Sequence, residues 1–186
     1  LVIIATYLLA GLIKGTLGIG YPTAAITLTA TVVDARSAIA LVVIPMCFTN
    51  AWQIYRSGHL VEVVKRNWRL VTIMVIAIGI FSLFSADVPI RWLTLLLGVV
   101  TFLFAIVSLW RAPPELPERF DKAAQWIAGA LSGMMGGLAG IWAPPIIVYL
   151  TARRVSTDVF VQTVGVLLFI GSVVLLFGYT KTGLVN

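Results

Sequence analysis

The sequence is poor in charge, in cysteine and in the side-chain sets that enzymes use. Only 11% of its 186 residues are charged, against roughly 25% in an ordinary soluble domain, so a soluble globular chain is excluded. The single cysteine, Cys47, has no second cysteine for a disulfide and is expected to pack in an apolar run. No apolar segment holds paired carboxylates, a Ser/His pair or a His/Cys set with metal-ligand spacing. We therefore expect no enzyme activity, no metal and no cofactor.

Apolar residues fill the chain instead, at 60% of the sequence. They form six blocks, and a helix needs about 20 apolar residues to cross a membrane. Blocks two, three, four and six each fit one crossing, which predicts an all-α polytopic membrane protein. The net charge of +6 lies in short loops, where lipid orientation explains it, so no nucleic acid is expected as a partner. The blocks cover residues 1–33, 38–55, 68–86, 89–110, 123–152 and 159–180.

Blocks one and five are too long for one perpendicular helix and too short for two, and both contain glycine and proline. Gly18-Ile19-x-x-Pro22 in block one matches Gly140-Ile141-x-x-Pro144 in block five, 122 residues later. A Gly-x-x-x-Gly pair precedes each motif, at Gly11 and at Gly129, and block two then corresponds to block six. This pattern indicates two homologous repeats, each opening with a Gly/Pro-broken helix or a re-entrant hairpin.

The repeats divide the chain into a first membrane repeat over residues 1–110, a polar inter-repeat loop over 111–122, and a second repeat over 123–186. We expect the second repeat to be incomplete by about two spans. Single crossings of blocks one and five would make the repeats parallel, whereas hairpins would make them inverted. The loops hold 9 Lys and Arg on one side and 3 on the other with hairpins, against 8 and 4 with single crossings. Because cytoplasmic loops are rich in these residues, the count favours inverted repeats and leaves the parallel arrangement open.

Four segments carry a resemblance to a known family. They are GLIKGTLGIG at residues 11–20, VVIPMCFTNAW at 42–52, YRSGHL at 55–60 and GGLAGIWAPPIIVYL at 136–150. Together they resemble the sulfite exporter TauE/SafE family over nearly the whole chain. Where the family often has a run of glycines, this chain has Gly20-Tyr21-Pro22. The resemblance implies an integral membrane permease for sulfur oxyanions or organosulfonates such as sulfite.

The interrupted blocks predict an anion site on physical grounds as well. Glycine and proline inside lipid free backbone groups that protein, water or ligand must satisfy, and breaks at matched positions of two halves point to a transporter's binding site. The N-terminus of each half-helix favours an anion. Lys14 is the only charged residue well inside a block. It costs about 3 kcal/mol there, which indicates either a cation for the anion or a lysine that snorkels to the interface.

Polar and aromatic side chains near the breaks complete the predicted site, each with a structural alternative. Thr49, Asn50 and Gln53 form a polar patch in block two, which either donates to an oxyanion or bonds a neighbouring helix. Trp142 either walls the pocket or fills space. The predicted substrate-binding residues are Lys14, Gly18, Gly20, Tyr21, Pro22, Asn50, Gln53, Gly137, Gly140, Trp142, Pro144 and Pro145.

The sequence therefore predicts a secondary permease or exporter of small anions. A passive anion channel and a membrane assembly subunit that transports nothing are the alternatives. Besides the anionic solute, membrane lipid and a second copy of the chain are the expected partners. The expected location is the bacterial inner membrane.

Overall fold

The computed structural model describes residues 2–17, 21–85, 87–109 and 113–182, and every regular element in those ranges is helical. The prediction of an all-α chain is confirmed. A 3-10 turn at Glu118–Phe120 precedes the seventh helix. The helices are α1 (Val2–Leu17), α2 (Tyr21–Thr29), α3 (Ala35–Ser57), α4 (Leu60–Arg66), α5 (Trp68–Phe84), α6 (Ile90–Leu109), α7 (Asp121–Ala139), α8 (Ala143–Ala152) and α9 (Thr157–Lys181).

Two helices, Ser37–Arg56 within α3 and Thr157–Lys181, are long and apolar enough to cross a membrane among the described residues. A third span is obtained if Leu60–Arg66 and Trp68–Phe84 count together, although these two helices meet at 93°. α6 covers block four with 20 residues. The chain is therefore a membrane protein, and its described residues offer two or three candidate spans by length and composition.

Helices α5 and α7 form the closest helix pair, and glycines on α7 make it possible. A Cβ atom on Gly129, Gly133 or Gly137 would lie 2.7, 2.8 or 3.0 Å from a backbone carbonyl oxygen of α5. The oxygens belong, in that order, to Leu70, Met74 and Ile78. Both series advance by four residues, so the two helices run in the same direction with their backbones in contact.

Helices α7 and α8 form a hairpin. α7 ends at Gly140, whose φ of 70° is left-handed and suits glycine, and α8 begins three residues later. The Tyr149 hydroxyl donates to Asp121 Oδ1 at 2.8 Å, and Arg153 forms an ion pair with the same carboxylate at 2.6 Å. The end of α8 therefore lies beside the beginning of α7. Block five folds as two half-helices, as predicted, with its break at residues 140–142.

Helix α9 runs parallel to α5 and antiparallel to α3. Along α5, Gly79 faces Val174 and Ser82 faces Gly178. Along α3, Gln53 Nε2 donates to the carbonyl oxygen of Val161 at 3.3 Å, whereas the Cys47 thiol is hydrogen-bonded to Ser172. α3 and α9, which correspond in the sequence pattern, thus cross in opposite directions in the middle of the molecule.

Block one also holds two helices, α1 and α2, which pack against each other and against α3. The predicted break falls between Leu17 and Tyr21, at residues 18–20, which lie outside the described residues. Tyr21 and Ile26 of α2 are buried in the core together with Ala10 of α1. Block one therefore places its second half-helix inside the molecule, next to the residues that follow.

Candidate functional site

A cavity of about 580 Å³ opens between α1, the beginning of α2, and α3. Its floor includes Gly11 and Gly15, where an added Cβ would have no described atom within 4 Å. The glycines of α1 therefore leave space for the cavity, whereas their counterparts on α7 bring two backbones together. The cavity is lined by Gly11, Lys14, Gly15, Tyr21, Phe48, Thr49, Trp52, Gln53, Arg56 and Val161.

Lys14 is the partly buried cation of this cavity. Its Nζ donates to Thr49 Oγ1 at 3.2 Å and to Asn50 Oδ1, and it lies 5.9 Å from the centre of the Tyr21 ring. No carboxylate among the described residues lies within ion-pair distance of it. Neutral oxygens hold the ammonium in position without cancelling its charge. A lysine ammonium has three N–H donors, so one N–H remains after the hydrogen bonds to Thr49 and Asn50.

Helix α3 presents one polar face to the cavity. Thr49, Gln53 and Arg56 follow each other at intervals of four and three residues, which places them on one side of a helix. Gln53 also donates to Val161 of α9 and packs on Gly165. It therefore makes the contact with a neighbouring helix that was one of its two predicted roles, while still lining the cavity.

Asn50 sits behind Lys14 and is fully buried. Its Oδ1 accepts from the lysine, while its Nδ2 has no hydrogen-bond partner among the described residues. An unpaired buried amide donor costs about 1–3 kcal/mol. The Oδ1 and Nδ2 atoms belong to one amide group, so the hydrogen bond between Lys14 and Oδ1 also fixes the position of the unpaired Nδ2 donor.

The break between α7 and α8 is built differently. The Trp142 indole is fully buried between two glycines, and an added Cβ would lie 3.1 Å from the indole at Gly136 of α7 and 2.7 Å from it at Gly171 of α9. Gly140 packs on Ile26 and Ile39 in the same way. Pro144 and Pro145 have no N–H group, so the first turn of α8 lacks two of the donors that a helix N-terminus normally offers. This break is filled by side chains, and its helix start is a weaker anion site than the pattern predicted.

The sequence model of the family described as Sulfite exporter TauE/SafE matches residues 3–186. The chain belongs to this family. TauE/SafE proteins are membrane transporters that export sulfite and other anions, rather than enzymes. No curated protein and no solved structure matches the chain.

In this TauE/SafE protein the predicted site residues fall into two groups. Lys14, Tyr21 and Gln53 line the cavity between α1 and α3, and Asn50 is buried behind Lys14, from which it accepts a hydrogen bond. The predicted residues of α7, of α8 and of the turn between them do not line that cavity. Gly137 contacts α5, Gly140 and Trp142 are in the core, and Pro144 and Pro145 line a separate apolar cavity of about 490 Å³ beside α6. Gly18 and Gly20 lie outside the described residues, and Pro22 belongs to the first turn of α2.

Two features of the TauE/SafE chain were missed by sequence reasoning. Arg56 was counted as a loop charge, but it belongs to the last turn of α3 and lines the cavity. Its spacing from Thr49 and Gln53 was the available signal. The cluster of Asp121, Tyr149 and Arg153 at the base of the hairpin had no such signal, since its members are brought together only by the reversal of the chain at Gly140.

Proposed function

We propose that this protein is a secondary transporter that exports a small sulfur oxyanion or organosulfonate, such as sulfite, through the cavity at Lys14. One observation carries the proposal. A partly buried ammonium, placed by the hydroxyl of Thr49 and the amide of Asn50, faces a cavity and has no carboxylate partner among the described residues. A charge inside a membrane protein is costly unless something neutralises it. An anionic substrate is the group that does so here.

The binding step uses donors that are already in place. The anion accepts the third N–H of Lys14, and the Gln53 amide lines the same wall, whereas the Thr49 hydroxyl already donates to the carbonyl oxygen of Met46 and accepts from Lys14. Helix α2 starts at Tyr21, next to the ammonium, and the partial positive charge at its first turn has the same sign. The Lys14 ammonium and the start of α2 therefore both favour an oxyanion.

We propose further that the chain contains two inverted repeats. Three pairs of helix ends are separated by the same 122 residues. Helices α3 and α9, which form one such pair, cross antiparallel, as an inverted duplication requires. Inverted repeats support transport because one half can rock against the other around a central site. The paired ends are Leu17 and Ala139, Tyr21 and Ala143, and Ala35 and Thr157.

The same spacing relates the polar cavity at Lys14 in the first repeat to the break between α7 and α8 in the second, which side chains fill. At the 122-residue spacing of the helix ends, Lys14 corresponds to Gly136 and Gly20 to Trp142, so Gly11 and Gly15 correspond to Gly133 and Gly137, four residues beyond the pair that the sequence pattern matched. In the second repeat the indole of Trp142 packs on Gly136. In the first repeat the sequence has Gly20 at the position of Trp142 and Lys14 at the position of Gly136. We infer that the second repeat is a packed counterpart of the repeat that binds the anion. We also infer that the protein lies in the bacterial inner membrane, where it works alone or as a homo-oligomer.

Flux measurements on the full chain in proteoliposomes test the proposal. Vesicles loaded with sulfite should take up labelled sulfite by saturable counterflow. The Lys14→Met variant should lose this activity, whereas Lys122→Met, which removes an exposed lysine at the start of α7, should keep it. Flux that rises linearly with concentration and gives no counterflow would favour a passive channel. Absence of any anion flux in the wild-type protein would overturn the proposal.

A further inference from the structure

A second cation lines the Lys14 cavity and takes no part in the contacts of Lys14. Arg56 belongs to the last turn of α3, where its side chain is exposed. It follows Thr49 by seven residues, which is about 10 Å along a helix. Since Lys14 Nζ lies 3.2 Å from Thr49 Oγ1, the two charges mark different depths of one cavity.

No carboxylate among the described residues forms an ion pair with Arg56. The cavity wall between the two cations is formed by polar and aromatic side chains of α3, namely Thr49, Trp52 and Gln53. The cavity therefore has a partly buried cation and an exposed cation on its walls. An anion at Lys14 experiences both, because charges that line one cavity still interact with the same ligand where the screening by water is incomplete.

We propose that Arg56 is a specificity residue of this site, which makes the cavity prefer dianions over monoanions. The inference rests on the proposed anion transport through the same cavity. Coulomb energy is proportional to the charge of the ligand, so one extra positive charge acts twice as strongly on a dianion. A substitution that lowers the affinity for a monoanion by a given factor through charge alone therefore lowers the affinity for a dianion by the square of that factor. This relation distinguishes a charge effect from a loss of shape, which would affect both ligands alike.

The experiment compares thiosulfate, a dianion, with methanesulfonate, a monoanion, as ligands of the purified full-length chain. Arg56→Gln removes the charge and should lower the affinity for methanesulfonate about threefold and the affinity for thiosulfate about tenfold. Arg56→Lys should restore most of both affinities. Raising the ionic strength should reduce the difference between wild type and Arg56→Gln, because the Arg56 side chain is exposed. Arg66→Gln is the matched control, since it makes the same charge change on α4 outside the cavity, and it should alter neither affinity.

Equal loss for the two anions in Arg56→Gln, or no loss in either, would overturn the role of Arg56 while the transport function stands. An equal effect of Arg66→Gln would overturn it as well, because the preference would then come from the general charge of that face. Failure of wild-type protein to bind any anion would reject the proposed function itself. A dianion preference that disappears in Arg56→Gln and returns in Arg56→Lys supports the inference.

Discussion

The glycine contact between α5 and α7 gives a prediction whose size follows from the structure. Gly133→Ala would place a Cβ atom 2.8 Å from the carbonyl oxygen of Met74 and 3.2 Å from the amide nitrogen of Ile78. The Cβ atom of Ala77 lies closer still, and no side-chain rotation can move any of these three atoms, so the helices must separate by about 1 Å. Such overpacking costs about 1–3 kcal/mol. The higher helix propensity of alanine returns about 1 kcal/mol, which leaves a net loss of up to about 2 kcal/mol.

The matched control lies on the partner helix. At Gly79, in the middle of α5, the nearest atom to an added Cβ is 4.0 Å away, which is an ordinary contact. Gly79→Ala should therefore be neutral or stabilising by up to about 1 kcal/mol, since only helix propensity changes. Unfolding followed by helical circular dichroism in mild detergent measures both variants. If Gly133→Ala is as stable as Gly79→Ala, the close parallel packing of α5 and α7 is refuted.

Three further predictions concern the cavity, the hairpin and the topology. Gly15→Leu, placed where an added Cβ meets no described atom, should fill the cavity and reduce anion binding at least about tenfold with little change in stability; normal binding would argue against the cavity. Asp121→Asn should destabilise the hairpin by roughly 1–2 kcal/mol, because the Asp121 carboxylate, which is about one-fifth exposed, loses its ion pair with Arg153. The double variant Asp121→Arg with Arg153→Asp reverses the pair and should recover part of the loss, measured as the denaturation midpoint. No recovery would contradict the ion pair. Glu118→Cys and Ser156→Cys, in a cysteine-free background, should be labelled from the same side of the membrane, since the hairpin brings its ends together; labelling from opposite sides would contradict it.

The arrangement of the helices could be predicted where the signal was local. The lengths of blocks one and five, together with their glycines and prolines, predicted two half-helices in each, and α7 and α8 end and begin near the predicted break. The direction of α8 could not be predicted from those residues. It depends on contacts of Asp121 with Tyr149 and Arg153, which are far apart in sequence.

Only the part of the candidate site that lies in the first repeat could be predicted from the sequence. Lys14 was identifiable because a charge within an apolar block demands a partner, and its link to Asn50 joins two residues that were singled out separately. The pattern of glycine and proline, by contrast, is the same in both repeats, while the space around it is not. Trp142 fills the second break and nothing in a motif indicates whether an aromatic side chain packs inward or walls a pocket.

Whether this cavity binds the transported anion is measured most directly by calorimetric titration of the purified full-length chain with sulfite, with substitutions at Lys14 alone. The ammonium supplies a charge-assisted hydrogen bond, and such bonds contribute about 1.5–3 kcal/mol. Lys14→Met should therefore weaken sulfite binding at least about tenfold, while Lys14→Arg, which keeps the charge, should retain most of it. Unchanged sulfite affinity in a folded Lys14→Met protein would contradict the claim that this cavity binds the transported anion.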